Sequence, residues 1–326
     1  MKIALISQVS LSSFGGAERK LVEAAEMLVQ RGNEVHMYAL PYTHPDHRVK
    51  GAFIVASLQD RGIEYQERNR HELIADVVYA VYAPFILRKF KSSCPVVAGL
   101  HSPLLFTSES ALETFINPVL AIRRYKSPKY IGSFWLSNIV KGSDLRKFCA
   151  IRTLSPVFKV KHENAFCIPD WVDSGVFRPQ SKKDDTFTVF FAGRHHWEKG
   201  FDTFLKIAHT LKRKGLKMNF RCTLEGVGPV EGVGFLDDDE LARTYSASHL
   251  VIYPSRLDTF GGVIVEASAC GTPVLTTPLP VHSLGLSLLY AGRLTEFVEA
   301  TVRVYNMWET NTGLYRKSVV YGKIGD

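Results

Sequence analysis

Apolar positions in this chain form short continuous runs that alternate with stretches of helical spacing. Lys2–Gln8 reads as a buried strand. Ala17–Arg31 reads as a helix, with Leu21, Ala24, Ala25, Leu28 and Val29 on one face and Gly32 just past its end. Glu34–Leu40, Val77–Tyr82, Pro95–His101 and Ala150–Ser155 are further apolar runs that predict strands. The pattern restarts after residue 168. Strands are expected at Phe187–Gly193, Met218–Glu225, His249–Ser255 and Pro273–Thr277. Helices are expected at Phe201–Arg213, Asp238–Ser246, Gly262–Cys270 and Arg293–Trp308. Strands alternating with helices predict an α/β class, with parallel sheets covered by helices on both faces. The segment Ile168–Lys183 is rich in Pro, Asp, Lys and Ser and marks the expected boundary, giving domains 1–168 and 169–326. No short-period repeat or low-complexity tract interrupts the two series.

Composition narrows the class. Of 326 residues, 46% are hydrophobic and 22% charged, which excludes disordered, collagenous and disulfide-scaffold proteins. No apolar run reaches the roughly 18 residues needed to span a bilayer. The opening MKIALISQVS lacks the length and cleavage site of a signal peptide and is read as a strand. Five dispersed cysteines without a Cys-x-x-Cys pair argue against a zinc site or disulfide framework and suit a reduced, cytoplasmic setting.

The net charge of +8 lies wholly in the first part. Residues 1–168 hold 22 basic and 14 acidic side chains; the remainder holds 18 of each. Such a field concentrates anionic ligands, nucleic acid or anionic lipid, unless it is only a soluble basic surface. Within it, Phe115–Lys147 carries Arg123, Arg124, Lys126, Lys129, Lys141, Arg146 and Lys147 against Asp144, with Phe134 and Trp135 interleaved. Three readings fit: a peripheral face on the anionic inner surface of a membrane that presents a lipid-linked acceptor, a nucleic-acid contact, or a solvated helix over the core.

In open parallel sheets, ligands bind beyond the carboxyl ends of the strands, and with two sheets the cleft between them is the default site. Unusual residues gather at these ends. Ser12-Ser13-Phe14-Gly15-Gly16-Ala17-Glu18 follows the first strand. Its glycines permit close backbone approach, and the helix behind offers N–H groups to phosphate, although a plain turn accounts for it equally. Gly193 through Gly200 carries Arg194 and Lys199, a fork and a point charge suited to a diphosphate. The adjacent His195 and His196 have no partner spaced to complete a metal site, and Trp197 is read as packing, with stacking on a base as the alternative. The third stretch, Pro254 to Val274, places Asp258 in a loop, Phe260-Gly261-Gly262 at a helix start and Glu266 among apolar residues. Carboxylates accept from sugar hydroxyls and N–H groups meet oxyanions, so this is an environment for a phosphorylated sugar.

Together these segments resemble the retaining glycosyltransferases of family four, which have the GT-B fold. Asp258 to Val274 is similar to their Glu-x7-Glu signature and the Glu-Ala-x-Ala-Cys-Gly-x-Pro-Val run that overlaps its end. The stretch from Gly193 resembles their Gly-Arg-x-x-x-x-Lys-Gly loop, and Gly15-Gly16-Ala17-Glu18 their opening motif. Gly226-Val227-Gly228-Pro229 and Ile168-Pro169-Asp170-Trp171-Val172-Asp173 match two family turns in part, and His101 matches a strand-end histidine. The resemblance covers about residues 1–277.

The resemblance implies GT-B architecture, two Rossmann-like domains facing across a cleft, with acceptor in the first and nucleotide sugar in the second. It implies a last helix packing back on the first domain, shortened here. Gly15 and Gly16 would face the donor phosphates. Arg194 and Lys199 would bind the diphosphate, Glu266 the ribose, and Asp258 the sugar together with Phe260, Gly261 and Gly262. His101 would touch the sugar or reacting centre, and the stretch at Phe235 would cover the base. No metal or other cofactor is implied. The chain departs from the family at Asp258, where a Glu is usual, at Asp170 and Trp171, where Asn and Gly are usual, and at Pro278–His282, where a Gly-Gly turn is usual. A nucleoside diphosphate is a good leaving group, so catalysis requires positioning and charge stabilisation, and no carboxylate pair is set apart as in retaining hydrolases. Front-face displacement without a covalent enzyme intermediate follows. Two rivals are a non-catalytic nucleotide-sugar or glycan binder and a sugar-nucleotide epimerase.

Overall fold

The computed structural model describes residues 1–11, 16–41, 57–83, 85–101, 143–158, 160–282 and 288–310. The chain divides into two compact units, Met1–Asp170 and Trp171–Asp326.

The strands of the first unit are β1 (Lys2–Ser7), β2 (Glu34–Ala39), β3 (Ile63–Glu67), β4 (His71–Leu73), β5 (Val77–Val81), β6 (Phe90–Ser92), β7 (Val96–Leu100), β8 (Ala150–Thr153) and β9 (Ala165–Cys167). Seven of them make a parallel sheet in the order β3-β2-β1-β5-β7-β8-β9, and β4 pairs with β6 beside it. Helix α1 (Gly16–Gln30) returns from β1 to β2 and buries Leu21, Val22 and Ala25. Alternation along β1 shows why both faces are apolar. Ile3 and Leu5 join one core with Leu21, Val35 and Met37, while Ala4 and Ile6 join another with Val78, Ala98 and Ile151. The short or polar strands β3, β4, β6 and β9 were not expected from the sequence pattern. They sit mostly toward the sheet edge or beside it, where half-exposed segments such as Ile63–Glu67 carry no continuous apolar run.

The second unit repeats the scheme with β10 (Phe187–Phe191), β11 (Met218–Cys222), β12 (Glu231–Gly232), β13 (Leu250–Tyr253), β14 (Val274–Thr276) and β15 (Leu289–Tyr290). The parallel order is β12-β11-β10-β13-β14-β15. Its helices are α2 (Phe201–Arg213), α3 (Asp238–Ala247), α4 (Gly262–Ala269) and α5 (Leu294–Thr310). All five residues of β10 are buried. Phe187, Val189 and Phe191 face α2 and α5, whereas Phe190 faces α3 and α4. Helix α3 starts at a capping box, with Asp237 Oδ1 accepting from the Glu240 amide at 2.8 Å and Glu240 Oε2 from the Asp237 amide at 2.9 Å. No helix among the described residues is long and apolar enough to cross a membrane.

Candidate active site

In the second unit, loops leaving β10, β13 and β14 meet beyond the carboxyl ends of these strands. Gly200 joins two of them. Its φ of +73° is left-handed, and a Cβ would drive into the Pro254 carbonyl oxygen, so only glycine lets the first loop lie against the second. Ser255 Oγ and the Arg256 amide both donate to the Glu198 carbonyl, at 3.1 and 2.8 Å. The Arg256 guanidinium binds Asp202 through both terminal nitrogens, donates to the Trp197 carbonyl and lies over the Trp197 ring at 5.2 Å. Trp197 therefore packs, as the sequence reading expected.

This stitching brings Lys199 to Asp258. Lys199 Nζ donates to the Tyr253 hydroxyl at 2.9 Å and lies 3.5 Å from Asp258 Oδ1. The Tyr253 hydroxyl donates to Asp258 Oδ2 at 2.7 Å, and the Thr259 amide donates to Oδ1 at 3.0 Å. Burial disfavours charge on both partners, yet mutual attraction overrides it. Lys199 is held above the usual lysine value by Asp258 and Tyr253, and Asp258 is held well below the usual carboxylate value by Lys199, His282 and Tyr253. Burial, with the Asp258 charge beside it, raises the Tyr253 phenol. The result is a buried, ionised pair at the end of a parallel sheet.

Arg194 stands in the same loop with its side chain 40% exposed and its guanidinium 3.8 Å from Glu198. His195 is spent on packing, stacked on Phe201 with ring centroids 3.6 Å apart and bonded to the Thr223 carbonyl at 2.8 Å. His196 caps the turn at Trp197–Lys199, its Nδ1 accepting from the Glu198 amide. Phe260 is buried, and Gly261 turns the chain into α4 with φ +85°, followed by Gly262. Glu266, one turn into α4, is 3% exposed and accepts from the Tyr245 hydroxyl at 3.3 Å. Phe235, just past the bridge between Leu224 and Gly234, is exposed. Among the described residues, no group of three or more His, Cys, Asp or Glu side chains could hold a metal ion.

The first unit gathers a different cluster. Arg152 Nη1 donates to the Tyr79 hydroxyl at 3.1 Å, and that hydroxyl lies 2.9 Å from His101 Nε2. The Tyr79 hydroxyl thus bridges Arg152 and the His101 ring, which of the two gives the proton at Nε2 depending on the ring's tautomer. Nδ1 is 3.9 Å from Asp170, whose other oxygen accepts from Arg152 at 2.8 Å. Burial, aided by Arg152 and opposed by Asp170, lowers the His101 value to about 4. A Cβ at Gly99 would collide with the Tyr79 hydroxyl, so this glycine makes the cluster possible. Gly16 opens α1 and is exposed; Gly15 lies outside the described residues. So does most of the basic stretch Phe115–Lys147, where the described Asp144 is buried and accepts from the Phe85 amide and Lys147.

With this geometry in place, the chain can be set beside known proteins. Residues 186–306 match the family model of glycosyl transferases group 1. Both loops of the Lys199–Asp258 pair, and α4, lie inside that span. A D-inositol 3-phosphate glycosyltransferase of Catenulispora acidiphila is 32% identical over 35% of this chain and 35% of its own. An uncharacterised glycosyltransferase of Methanocaldococcus jannaschii is 30% identical over 29% and 28%. The chain thus spans about a third of the length of the curated relatives it matches. In structure, sucrose-phosphate synthase of Thermosynechococcus elongatus superposes with a TM-score of 0.67, covering 98% of this chain and 94% of that one at 17% identity. HepE of Anabaena, solved with UDP and glucose, gives 0.68 over 99% and 94% at 16% identity. These neighbours establish the fold as GT-B: α/β, with parallel sheets in two units.

Of the residues singled out in the sequence, Lys199 and Asp258 come together with Arg194 in the same loop, and three side chains that pack around them were not singled out. Tyr253 reads as one more apolar residue of a strand, Arg256 as a surface cation, and His282 as part of a proline-rich turn. Only the tertiary approach of three loops gives them neighbours.

Proposed function

We propose that this protein transfers a glycosyl group from a nucleoside-diphosphate sugar to an acceptor hydroxyl, with retention, by front-face displacement and without a metal ion. The observation that supports this most is the buried Lys199–Asp258 pair at the carboxyl ends of β10 and β13, with the half-exposed Arg194 in the same loop. An ammonium and a guanidinium stabilise charge that grows on the departing diphosphate, and their effect is largest where water is excluded. Asp258 and the N–H groups at the start of α4 receive the sugar hydroxyls, with Phe260, Gly261 and Gly262 shaping that end. Glu266 receives the ribose, and Phe235 covers the base. Gly15, Gly16 and His101 keep the donor-phosphate and reacting-centre roles that the resemblance implies, His101 as a neutral ring. The basic excess of residues 1–168 favours an anionic or lipid-linked acceptor.

Incubation with UDP-, GDP- and ADP-sugars tests the reading, with UDP-sugars first because HepE was solved with UDP and glucose. Release of nucleoside diphosphate and an anomeric proton of unchanged configuration, undiminished by EDTA, is the expected result. An inverted anomer, an epimerised donor, a trapped glycosyl-enzyme, or binding without turnover would overturn it.

A further inference from the structure

The loop after β14 carries His282, whose side chain is fully buried. Its Nδ1 lies 3.0 Å from the Thr277 carbonyl oxygen and 3.1 Å from Thr276 Oγ1. A carbonyl only accepts, and the Thr276 hydroxyl already donates to the Tyr253 carbonyl at 2.8 Å, so Nδ1 carries a proton. The other nitrogen, Nε2, lies 3.4 Å from Asp258 Oδ2. A bare lone pair there would face a carboxylate held ionised by Lys199 on its other oxygen. A proton on Nε2 turns that repulsion into a charge-assisted contact. The ring also supports the neighbouring backbone: a Cβ added at Gly261 would lie 3.2 Å from His282 Cδ2, so the imidazole packs directly against the turn that begins α4. Its own carbonyl is fixed by the Tyr290 hydroxyl at 3.1 Å.

We propose that His282 is a positioning residue of the sugar-binding end. As an imidazolium donating from both nitrogens, it clamps Asp258 from the side opposite Lys199 and sets the Gly261 turn against which the donor sugar rests. Asp258 is one methylene shorter than the glutamate usual in the resembling family, so its reach depends on what anchors it. The groups facing the ring are Asp258 from the β13 loop, Thr276 at the end of β14, Thr277 from its own loop, and the Tyr253 ring at 5.9 Å. Lys199 reaches it only through Asp258.

The inference rests on the function proposed above, and two readouts separate their failures. The first is the 15N spectrum of histidine-labelled wild-type protein at neutral pH, with the His282 signals identified by their loss in His282→Gln. Both nitrogens in the protonated range are expected, and one unprotonated nitrogen would overturn the inference whether or not any donor is turned over. The second compares UDP with UDP-glucose in wild type, His282→Gln and His282→Phe. With glucose attached, kcat/KM should fall roughly 10–100-fold, less in the glutamine variant, which keeps one donor. Affinity for UDP alone should stay within about threefold of wild type. A merely structural histidine would lower both alike, and unchanged turnover in both variants would refute the role. If UDP, GDP and ADP all fail to bind wild type, the proposed function fails while the spectrum still decides the state of His282.

Discussion

Each unit buries a titratable cluster at the carboxyl end of its sheet, but the clusters resolve their charges in opposite ways. Around His101 the neighbouring charges, Arg152 and Asp170, are paired with one another at 2.8 Å. They cancel, burial dominates, and the ring stays neutral with a value near 4. Around Asp258 the neighbours are the Lys199 ammonium at 3.5 Å, the His282 ring at 3.4 Å and the Tyr253 hydroxyl at 2.7 Å. There the attraction between Lys199 and Asp258 exceeds the cost of burial, and both stay ionised. Burial alone therefore does not decide the state of a strand-end group; whether its neighbours are already satisfied by each other does. The second unit thus carries fixed charge at its strand ends, and the first a neutral ring bonded to the Tyr79 hydroxyl.

The contrast can be broken from the charged side first. Lys199→Ala should lower turnover by two to three orders of magnitude, the scale of removing a preorganised charge-stabilising donor. Arg194→Ala should follow closely; its greater exposure leaves room for water to substitute in part. Wild-type rates in either variant, read by diphosphate release, would remove the electrostatic role. Asp258→Ala leaves Lys199 buried beside a hole, and should destabilise the second unit by about 3–5 kcal/mol in urea unfolding.

A backbone change tests how the two loops are held. Gly200→Ala combines a left-handed φ of +73° with a collision against Pro254. A cost of about 2 kcal/mol or more is expected, read as a lower Tm of the second unit. An unchanged Tm would mean the loops adjust without loss.

Acid separates the two clusters. The folded value of His101 is about 4 against 6.5 for a free ring, so between these pH values the unfolded chain binds more protons. The associated stability is complete above pH 6.5 and is lost as pH falls toward 4, by up to ~3 kcal/mol. His249, buried and also lowered to about 4, adds its own loss in this window. His101→Gln should thus flatten part of the slope. Asp258 is also lowered, but from the ordinary carboxylate value of 3.8, so it keeps its contribution until pH falls below that value. The smallest effect is expected for Tyr79→Phe, which removes the hydroxyl between Arg152 and His101 and should cost about 1 kcal/mol.

The α/β alternation, the long central strands and the helices were legible because doubly covered strands such as Phe187–Phe191 are uninterrupted apolar runs. The edge strands were not, since Ala165–Cys167 is exposed throughout and Glu231–Gly232 is too short to leave a pattern. At the site, Arg194, Lys199 and Asp258 stood out as charges at strand ends. Tyr253 and His282 did not, because their roles come from a hydroxyl and a ring turned toward Asp258 by folding, a direction that spacing along the chain does not encode.

On the proposed function, the Lys199–Asp258 cluster receives a nucleoside diphosphate. Isothermal titration of wild type and Lys199→Met with UDP, GDP and ADP tests it most directly. At least one nucleotide should bind wild type and lose about a hundredfold in affinity in the variant. Equal binding to both proteins, or no binding to wild type, would contradict it.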